Sequence, residues 1–253
     1  IRISRSLTVV VCIILVLLAA FRAPSVGNDT PTYILDYLNL HHYSYKTLLE
    51  RYEGYGGYYI LSKIFDNLSM PVYVWFGFVE ALYVSSMYLF IKKYSSDPLL
   101  SILVFIACGL FMFSLAGMKQ TLAMGFMMYS FLNFADKKYI LSITFALLAF
   151  TCHATVLIFL FGYFLYFFRN SKFYYYIVIG CVLTVIVASE WLLKSMVSSF
   201  GNEHYEIYLN FNNSYTASTL IFYAAIVGLS LFGYKRYSAL DPSASKVVFG
   251  FSI

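Results

Sequence analysis

The sequence predicts an all-α fold, a polytopic integral membrane protein built as a bundle of transmembrane helices. Of its 253 residues, 61% are hydrophobic and only 11% are charged, and the mean hydropathy is +0.75. A soluble domain carries about 25% charged residues, so a soluble chain could not hide this much apolar surface. We expect a single transmembrane domain over residues 1–253. We also expect a fragment, because the chain opens without Met and stops inside the apolar run "KVVFGFSI".

The apolar runs predict where the helices cross the membrane, since a spanning helix needs roughly 20 apolar residues. Single spans are expected at about residues 7–21, 71–91, 173–189 and 218–234. Residues 98–136 would form a helix of roughly 57 Å, so we expect two helices with a break near Gly117-Met118-Lys119. Residues 139–168 are interpreted as a hairpin with its tip near Thr151-Cys152-His153. The total is at least eight transmembrane helices, with a ninth cut off at the C-terminus.

Pairs of basic residues predict the orientation of these spans. If every pair lies in the cytoplasm, as the positive-inside rule favours, each crossing alternates correctly. The N-terminus is then cytoplasmic, and two sizeable outer loops cover about residues 22–70 and 190–217. The basic pairs are Arg2/Arg5, Lys92/Lys93, Lys137/Lys138, Arg169/Lys172 and Lys235/Arg236.

Composition also excludes some functions. The net charge of +5 does not indicate nucleic-acid binding, because the basic residues are spread in pairs and form no single patch. None of the four cysteines has metal-ligand spacing, so we interpret them as small apolar packing residues. The sequence therefore predicts no metal site and no cofactor.

Two cationic residues are expected near the membrane, and their presence there requires an explanation because charge within a bilayer is costly. Lys119 interrupts the apolar run "AGMKQTLAMGF" at the predicted outer end of a hairpin. One interpretation is a lysine whose ammonium reaches the outer headgroups; the other is a cation that meets an anionic substrate group. Arg22 directly follows the first predicted helix and leaves the same two interpretations open.

Two further residues could carry proton chemistry. His153 at the tip of a hairpin could be a simple interfacial residue, or an acid, base or hydrogen-bonding partner of the substrate. Asp29 precedes Thr30-Pro31 and could cap a helix that starts at Pro31. A carboxylate in this outer loop could equally serve as a base or as a sugar ligand.

Four segments resemble, in the same order, sequence motifs of EpsG-type and Wzy-type polysaccharide polymerases. "FRAPSVGNDTPTYILDY" resembles the segment after their first helix, and "EGYGGYYILSKIF" resembles the next element, with Glu53 as its glutamate. "AGMKQTLAMGF" resembles the small-x-Arg-Gln-x-x-Ala segment, where Gln120 fits and Lys119 replaces the usual arginine. "AFTCHATVLIFLFGYFL" resembles the hairpin with a histidine, here His153. In the first segment, the matching positions are Arg22, Val26, Gly27, Asp29, Thr30 and Tyr33.

The resemblance implies an O-antigen, capsule or exopolysaccharide polymerase in the inner (cytoplasmic) membrane of a bacterial cell. Such an enzyme joins oligosaccharide repeats carried on undecaprenyl diphosphate at the outer face of the membrane, without a metal. A chain-length regulator and a flippase are its expected partners, beside the bilayer itself.

The resemblance also implies roles for individual residues. Arg22 and Lys119 would bind the leaving diphosphate, and Asp29 or His153 would be the catalytic base. Gln120, Tyr33 and Glu53 would complete the substrate-binding set. Outer-loop aromatics would line a groove for the glycan: Tyr33, Tyr37, Tyr43, Tyr45, Tyr52, Tyr55 and Tyr58.

Two other classes remain as alternatives. A flippase or transporter of lipid-linked sugars would also need outer cations, but it should show similar polar features in its cytoplasmic half or an internal repeat. The ionisable residues outside the basic pairs gather instead in the predicted outer half. A membrane acyltransferase that modifies a surface glycan is the second alternative, and His153 alone does not separate it from a polymerase.

Overall fold

The computed structural model describes residues 2–168 together with residues 171, 173, 174, 176, 177 and 180. Every regular element in these residues is helical, which confirms the predicted all-α class. The predicted spans 173–189 and 218–234 and the predicted loop 190–217 lie wholly or largely outside the described residues.

Ten α-helices and two short 3-10 helices occur in this part of the chain. The α-helices, in chain order, are α1 (Arg2–Ala20), α2 (Thr30–Asn39), α3 (Tyr45–Arg51), α4 (Gly56–Asn67), α5 (Val72–Tyr94), α6 (Pro98–Ala107), α7 (Leu110–Ala116), α8 (Met118–Ala135), α9 (Tyr139–Cys152) and α10 (Leu160–Phe168). The 3-10 helices are Leu40–His42 and Ala154–Phe159.

The chain divides into two units, Ile1–Leu160 and Phe161–Ile253, and each is described by itself. In the described residues of the second unit, Leu165 and Tyr174 are buried together. The first unit holds α1–α9 and all the candidate site residues. This division does not test the predicted single transmembrane domain, because two groups of helices can share one bilayer.

One helix of the described part, α5, is long and apolar enough to cross a bilayer by itself. Helices α6 and α7 pass the same test only together, and a 53° bend separates them. The bend falls at Gly109, which has the left-handed φ of 76° and which the sequence analysis did not single out. Three further helical segments are apolar but shorter, Ser6–Ala20, Tyr139–Cys152 and Ala154–Phe168. The count of at least eight crossings therefore stays a prediction.

Both predicted breaks within the long apolar runs are confirmed. Helix α7 ends at Ala116 and α8 begins at Met118, so the first break falls at Gly117. Helix α9 ends at Cys152, and the backbone of His153 is extended, with φ −164° and ψ 122°.

One hydrophobic core cluster of the first unit lies among α1, α5, α6 and α7. Helix α5 also packs against α8, which in turn packs against α9. The buried side chains of this core are Cys12, Leu15, Ala19, Tyr83, Val84, Ile91, Ile102, Phe105, Phe111 and Leu115.

The helix ends fall at two opposite ends of the first unit. The breaks at Gly117 and His153 lie at one end, together with α2 and α4, which contact each other, and α4 also contacts α9. We call this the site end. At the opposite end, Lys93 pairs with Asp136 and so joins the end of α5 to the end of α8.

Candidate functional site

The site end is built around the start of α8. The residue before this 18-residue helix is Gly117, which has no side chain with which to cap the first backbone N–H groups. Uncapped N–H groups and the helix dipole make a helix start electropositive and suited to an anion. A further observation is needed to identify this start as a site, and the neighbouring side chains supply it.

The loop before α2 packs directly on the junction of α7 and α8. Gly27 has a φ of +85°, and a Cβ placed there would lie 2.3 Å from the carbonyl oxygen of Leu115. Only glycine permits both this backbone conformation and this close approach. Thr30 fixes the loop, because its hydroxyl donates to the carbonyl oxygen of Val26 at 2.6 Å.

Arg22 lies in the same loop, half-buried, with one hydrogen-bond donor unused. Its Nε donates to the Thr30 hydroxyl at 3.2 Å and its Nη1 to the Ala19 carbonyl oxygen at 3.3 Å. Its guanidinium lies 4.2 Å from the centroid of the Phe76 ring. The Nη2 atom is buried and has no hydrogen-bond partner in the described residues. Burial lowers the pKa of Arg22, and the nearby Glu80 carboxyl is the chief opposing influence.

Lys119, in the first turn of α8, is surrounded by aromatic rings. Its Nζ lies 4.8 Å from the ring centroid of Tyr55, 4.9 Å from that of Tyr59 and 5.8 Å from that of Tyr33. These distances are within the range of cation–π attraction, which favours the charged ammonium. No hydrogen bond or ion pair joins Lys119 to another described residue. The structure therefore holds a lysine whose N–H donors are available to a ligand.

Tyr33 connects the two cations. It is buried, and its ring lies beside that of Tyr58 at 6.0 Å. Burial, with a smaller effect of the Asp29 carboxyl, raises the pKa of Tyr33 to about 12, while the backbone N–H groups of Lys119 and Met118 act in the opposite direction. The Tyr33 hydroxyl thus lies by the uncapped start of α8 and stays protonated at neutral pH.

His153 lies next to the lysine through a shared tyrosine. The side chain is 3% exposed, and its ring lies 5.0 Å from the ring of Tyr55, which Lys119 also contacts. Gly57 permits this arrangement, because a Cβ there would lie 2.2 Å from the hydroxyl of Thr151 at the end of α9.

The hydrogen bonds of His153 indicate which nitrogen carries the proton. The Thr155 backbone N–H donates to His153 Nδ1 at 3.3 Å, and the Thr155 hydroxyl lies 2.7 Å from the same atom. A backbone N–H can only donate, so Nδ1 is an acceptor and the neutral ring carries its proton on Nε2. In this arrangement Nε2–H is a donor, and it makes no hydrogen bond with a described residue. This geometry suits a hydrogen bond to the substrate better than proton abstraction.

The other three predicted site residues are Asp29, Gln120 and Glu53, and each lies in a different environment. Asp29 occupies the position before α2, as the capping interpretation requires, but its side chain makes no capping hydrogen bond and is exposed. Gln120 follows Lys119 and is half-buried against Gly117. Glu53 is exposed on the turn before α4, and no hydrogen bond or ion pair joins it to a described residue. The structure therefore brings Arg22, Tyr33, Lys119 and His153 together, with Asp29 and Gln120 beside them, and leaves Glu53 outside the cluster.

Several of the predicted groove tyrosines point inward. Tyr33, Tyr37 and Tyr58 are buried, and the Tyr58 hydroxyl accepts a hydrogen bond from Trp75 Nε1 at 3.2 Å. Buried rings cannot line an open glycan groove. Tyr33 and Tyr58 pack beside the cations instead, and the Tyr37 hydroxyl donates to the Met70 carbonyl oxygen, whereas Tyr45 is exposed.

Sequence reasoning missed Asp36 and Tyr59. The Tyr59 hydroxyl donates to Asp36 Oδ2 at 2.6 Å, and the ring of Tyr59 is one of those around Lys119. Burial, and next the hydrogen bond to Asp36, raise the pKa of Tyr59. The spacing of Tyr33, Asp36 and Tyr37 places them on one side of α2 and could have identified the carboxylate.

Comparison with known proteins identifies a family. The EpsG family model matches residues 6–253, which is nearly the whole chain. No curated protein and no solved structure matches it.

Proposed function

The chain belongs to the EpsG family, and on this premise we propose that it polymerises oligosaccharide repeats carried on undecaprenyl diphosphate. Membership in this family indicates a membrane protein of polysaccharide biosynthesis with a glycosyltransferase-like, polymerase role. The finer proposal concerns the substrate and the side of the membrane on which the reaction occurs.

In the proposed reaction, the growing glycan leaves its carrier and joins the next lipid-linked repeat. The bond between the anomeric carbon and the diphosphate oxygen breaks, and a new bond forms to a sugar hydroxyl of the acceptor. The carrier diphosphate departs with additional negative charge, and the hydroxyl proton passes to a base. Such a reaction needs donors fixed at the leaving group and a base at the acceptor.

The observation that carries the proposal is Lys119. A lysine at a helix start, surrounded by three tyrosine rings and not paired with a carboxylate in the described part of the chain, keeps its N–H donors for a ligand. Fixed cations and N–H groups stabilise charge that develops on a departing diphosphate without further reorganisation. Because lysine lacks the guanidinium fork, it offers the diphosphate a compact charge rather than a two-point grip.

Arg22 and His153 complete the proposed diphosphate site. The unused Nη2 of Arg22 and the Nε2–H of His153 both lie in the tyrosine-lined cluster that contains Lys119. A buried donor without a partner is costly, and a phosphate oxygen would satisfy it. Tyr33 and Gln120 flank Lys119 and would contact the same group.

We propose Asp29 as the base that receives the acceptor proton. It is exposed and makes no side-chain cap bond, yet it lies close enough to Tyr33 to raise the pKa of that hydroxyl. Glu53, exposed on the turn before α4, is proposed to bind a sugar hydroxyl at the rim.

The proposed location is the outer face of a bacterial inner membrane, with several crossings and a cytoplasmic N-terminus. The opposite end of the first unit supports it, since Lys92 and Lys93 end α5 there and Lys137 and Lys138 follow α8. Such basic pairs favour the cytoplasm, so the site end is proposed to face the outside. The transfer is proposed to need no metal or cofactor, so a chelator should not stop it. A flippase and a chain-length regulator are the proposed partners.

The test is a gel of surface glycan from a strain that lacks the gene, with the gene restored as wild type, Arg22→Ala, Lys119→Ala or Lys46→Ala. Lys46 is the matched control, because it is an exposed lysine of the same predicted loop paired with Glu50. We expect the null strain and both site variants to show single capped repeats, and the wild type and Lys46→Ala to show a full ladder. Equal membrane levels of each variant are checked by immunoblot.

Other outcomes of this gel would favour the other classes. Loss of every surface repeat, with lipid-linked units retained inside the cell, would support a flippase. An unchanged ladder with altered acyl groups would support an acyltransferase. A full ladder from both Arg22→Ala and Lys119→Ala would overturn the assignment of these cations to the diphosphate.

A further inference from the structure

We infer that Asp36 is a positioning residue, which fixes the Tyr59 ring against Lys119 and so directs the ammonium toward the substrate diphosphate. This inference rests on the proposed function, because it assigns a role to a side chain behind the same site. Asp36 does not contact the proposed ligand and is not one of the residues expected from the sequence.

Asp36 holds two tyrosines at once. The Tyr59 hydroxyl donates to its Oδ2 at 2.6 Å, and the Tyr52 hydroxyl donates to its Oδ1 at 3.4 Å. The two rings are stacked, with centroids 3.5 Å apart and an interplanar angle of 14°. Hydrogen bonds to an ionised acceptor are stronger than neutral ones, so the carboxylate determines where both rings lie.

The Tyr59 ring connects this carboxylate to the lysine. Its hydroxyl is bonded to Asp36, while Lys119 Nζ lies 4.9 Å from its centroid. The side chain is 1% exposed, so the phenol is shielded from the bulk water that could replace a lost acceptor. A displaced Asp36 would therefore leave a buried hydroxyl unsatisfied, and the ring would have to move.

Asp36 can position the Tyr59 ring because of where it lies on α2. It follows Tyr33 by one helical turn of α2, and Tyr33 is a second ring around Lys119. Helix α2 thus supplies one ring directly and fixes another, on α4, through a hydrogen bond. The Lys119 ammonium is thereby held in one orientation. This orientation does not depend on an ion pair, which would occupy its N–H donors.

The experiment uses the full chain in vesicles, with lipid-linked repeats extracted from the strain that lacks the gene. We expect Asp36→Ala to lower kcat/KM about tenfold, the loss typical of one such hydrogen bond. Tyr59→Phe, which keeps the ring but removes the hydroxyl, should lose a similar factor. Asp36→Asn should recover most of the rate, since an amide oxygen still accepts from Tyr59. The control is Asp66→Ala, which removes another carboxylate of the same predicted loop. Asp66 is bonded to Lys63 at 3.5 Å, and this variant should keep a kcat/KM near that of the wild type.

A merely structural role would not produce coupling to the lysine. Because Asp36 acts through Lys119, the double variant Asp36→Ala/Lys119→Ala should be no slower than Lys119→Ala alone. Independent, multiplying losses would overturn the inference. So would an Asp36→Asn variant as slow as Asp36→Ala, because the carboxylate itself would then be the proton acceptor.

The inference and the proposed function fail in different ways. A wild-type rate in Asp36→Ala, beside an inactive Lys119→Ala, would overturn the inference alone. A wild-type rate in Lys119→Ala would overturn the diphosphate assignment. Unfolding temperatures of all variants, measured in the same detergent, identify any variant that is slow because it does not fold. If Asp36→Ala does not fold, the more conservative Tyr59→Phe and Asp36→Asn variants still test the inference.

Discussion

Each end of the first unit contains a lysine, and the two lysines have different surroundings. At the opposite end, Lys93 is paired with Asp136, and both side chains are partly exposed. At the site end, Lys119 has three tyrosine rings around its ammonium and no carboxylate partner among the described residues. Each lysine is compensated by its surroundings, but only Lys119 keeps its N–H donors unused.

This difference shows how a helical membrane protein can prepare a charge for a ligand. A direct ion pair would neutralise the cation and occupy its donors, whereas aromatic rings stabilise the charge and leave the donors available. The paired lysine joins two helices, whereas Lys119 makes no ion pair with a described residue, so its N–H donors stay available. Substitutions at the two ends should therefore have unlike effects.

The largest effect is expected from Lys119→Ala. Removing one fixed group that stabilises transition-state charge costs about 100-fold to 1,000-fold in rate, and we expect at least about 100-fold loss of polymerisation in vesicles. Lys93→Ala is the matched control and should keep nearly the wild-type rate. Equal losses in the two variants would show that the distinction between the two ends has no functional meaning.

His153 is expected to have the next largest effect. As a hydrogen-bond donor to a charged group it should contribute about tenfold to the rate, so His153→Ala should lose this factor. His153→Gln, whose amide N–H can replace the Nε2–H donor, should recover most of it.

The same pair of variants separates the two roles predicted for this histidine. A general base typically contributes about 100-fold or more. If His153→Gln and His153→Ala both lose about 100-fold or more in initial rate, His153 is the base and Asp29 is not.

A smaller effect, on stability, is expected at the glycine that joins the loop to α7. Gly27→Ala adds backbone strain, about 1–3 kcal/mol, and places a Cβ 2.3 Å from the Leu115 carbonyl oxygen. Gly54 is the control, since its φ is +83° but nothing lies within 4 Å of its added Cβ. Unfolding in detergent should show Gly27→Ala to be clearly less stable than Gly54→Ala, and equal stability would contradict the packing described at the site end.

The smallest effect is expected from breaking the ion pair at the opposite end. Partly exposed pairs contribute about 0–1 kcal/mol, so Asp136→Ala should lower the free energy of unfolding by no more than that. The measurement is denaturant unfolding at low salt, with Asp97→Ala as the comparison for loss of a helix-capping carboxylate, whose Oδ1 accepts from the Leu100 backbone N–H. A loss of several kcal/mol would mean that the pair is a structural requirement.

The sequence predicts the breaks of the helices better than their bends. Run length and the basic pairs were enough to predict the turns at Gly117 and His153, because a bilayer limits how far an apolar helix can continue. The length of an apolar run cannot predict the 53° bend at Gly109, because this bend changes the direction of the helix without adding a polar residue. Hydropathy reports length and gives no information about direction.

The site was predictable only in part, for a similar reason. Arg22, Lys119 and His153 stand out because charged or polar residues interrupt apolar runs. Tyr59 and Asp36 do not stand out in a chain that contains 25 tyrosines. Their roles depend on how α2, α4 and α8 pack together, and on which hydroxyl reaches which carboxylate. The protonated nitrogen of His153 likewise depends on Thr155, and no spacing in the sequence reveals it.

The binding of a lipid diphosphate tests whether the Lys119 ammonium contacts that group. The measurement is the affinity of the purified protein in vesicles for farnesyl diphosphate, with farnesol as the uncharged comparison, in wild type, Lys119→Ala and Lys93→Ala. We predict that Lys119→Ala binds the diphosphate at least about tenfold more weakly, with farnesol binding unchanged and Lys93→Ala like wild type. Equal affinity of Lys119→Ala and wild type for farnesyl diphosphate would contradict the account.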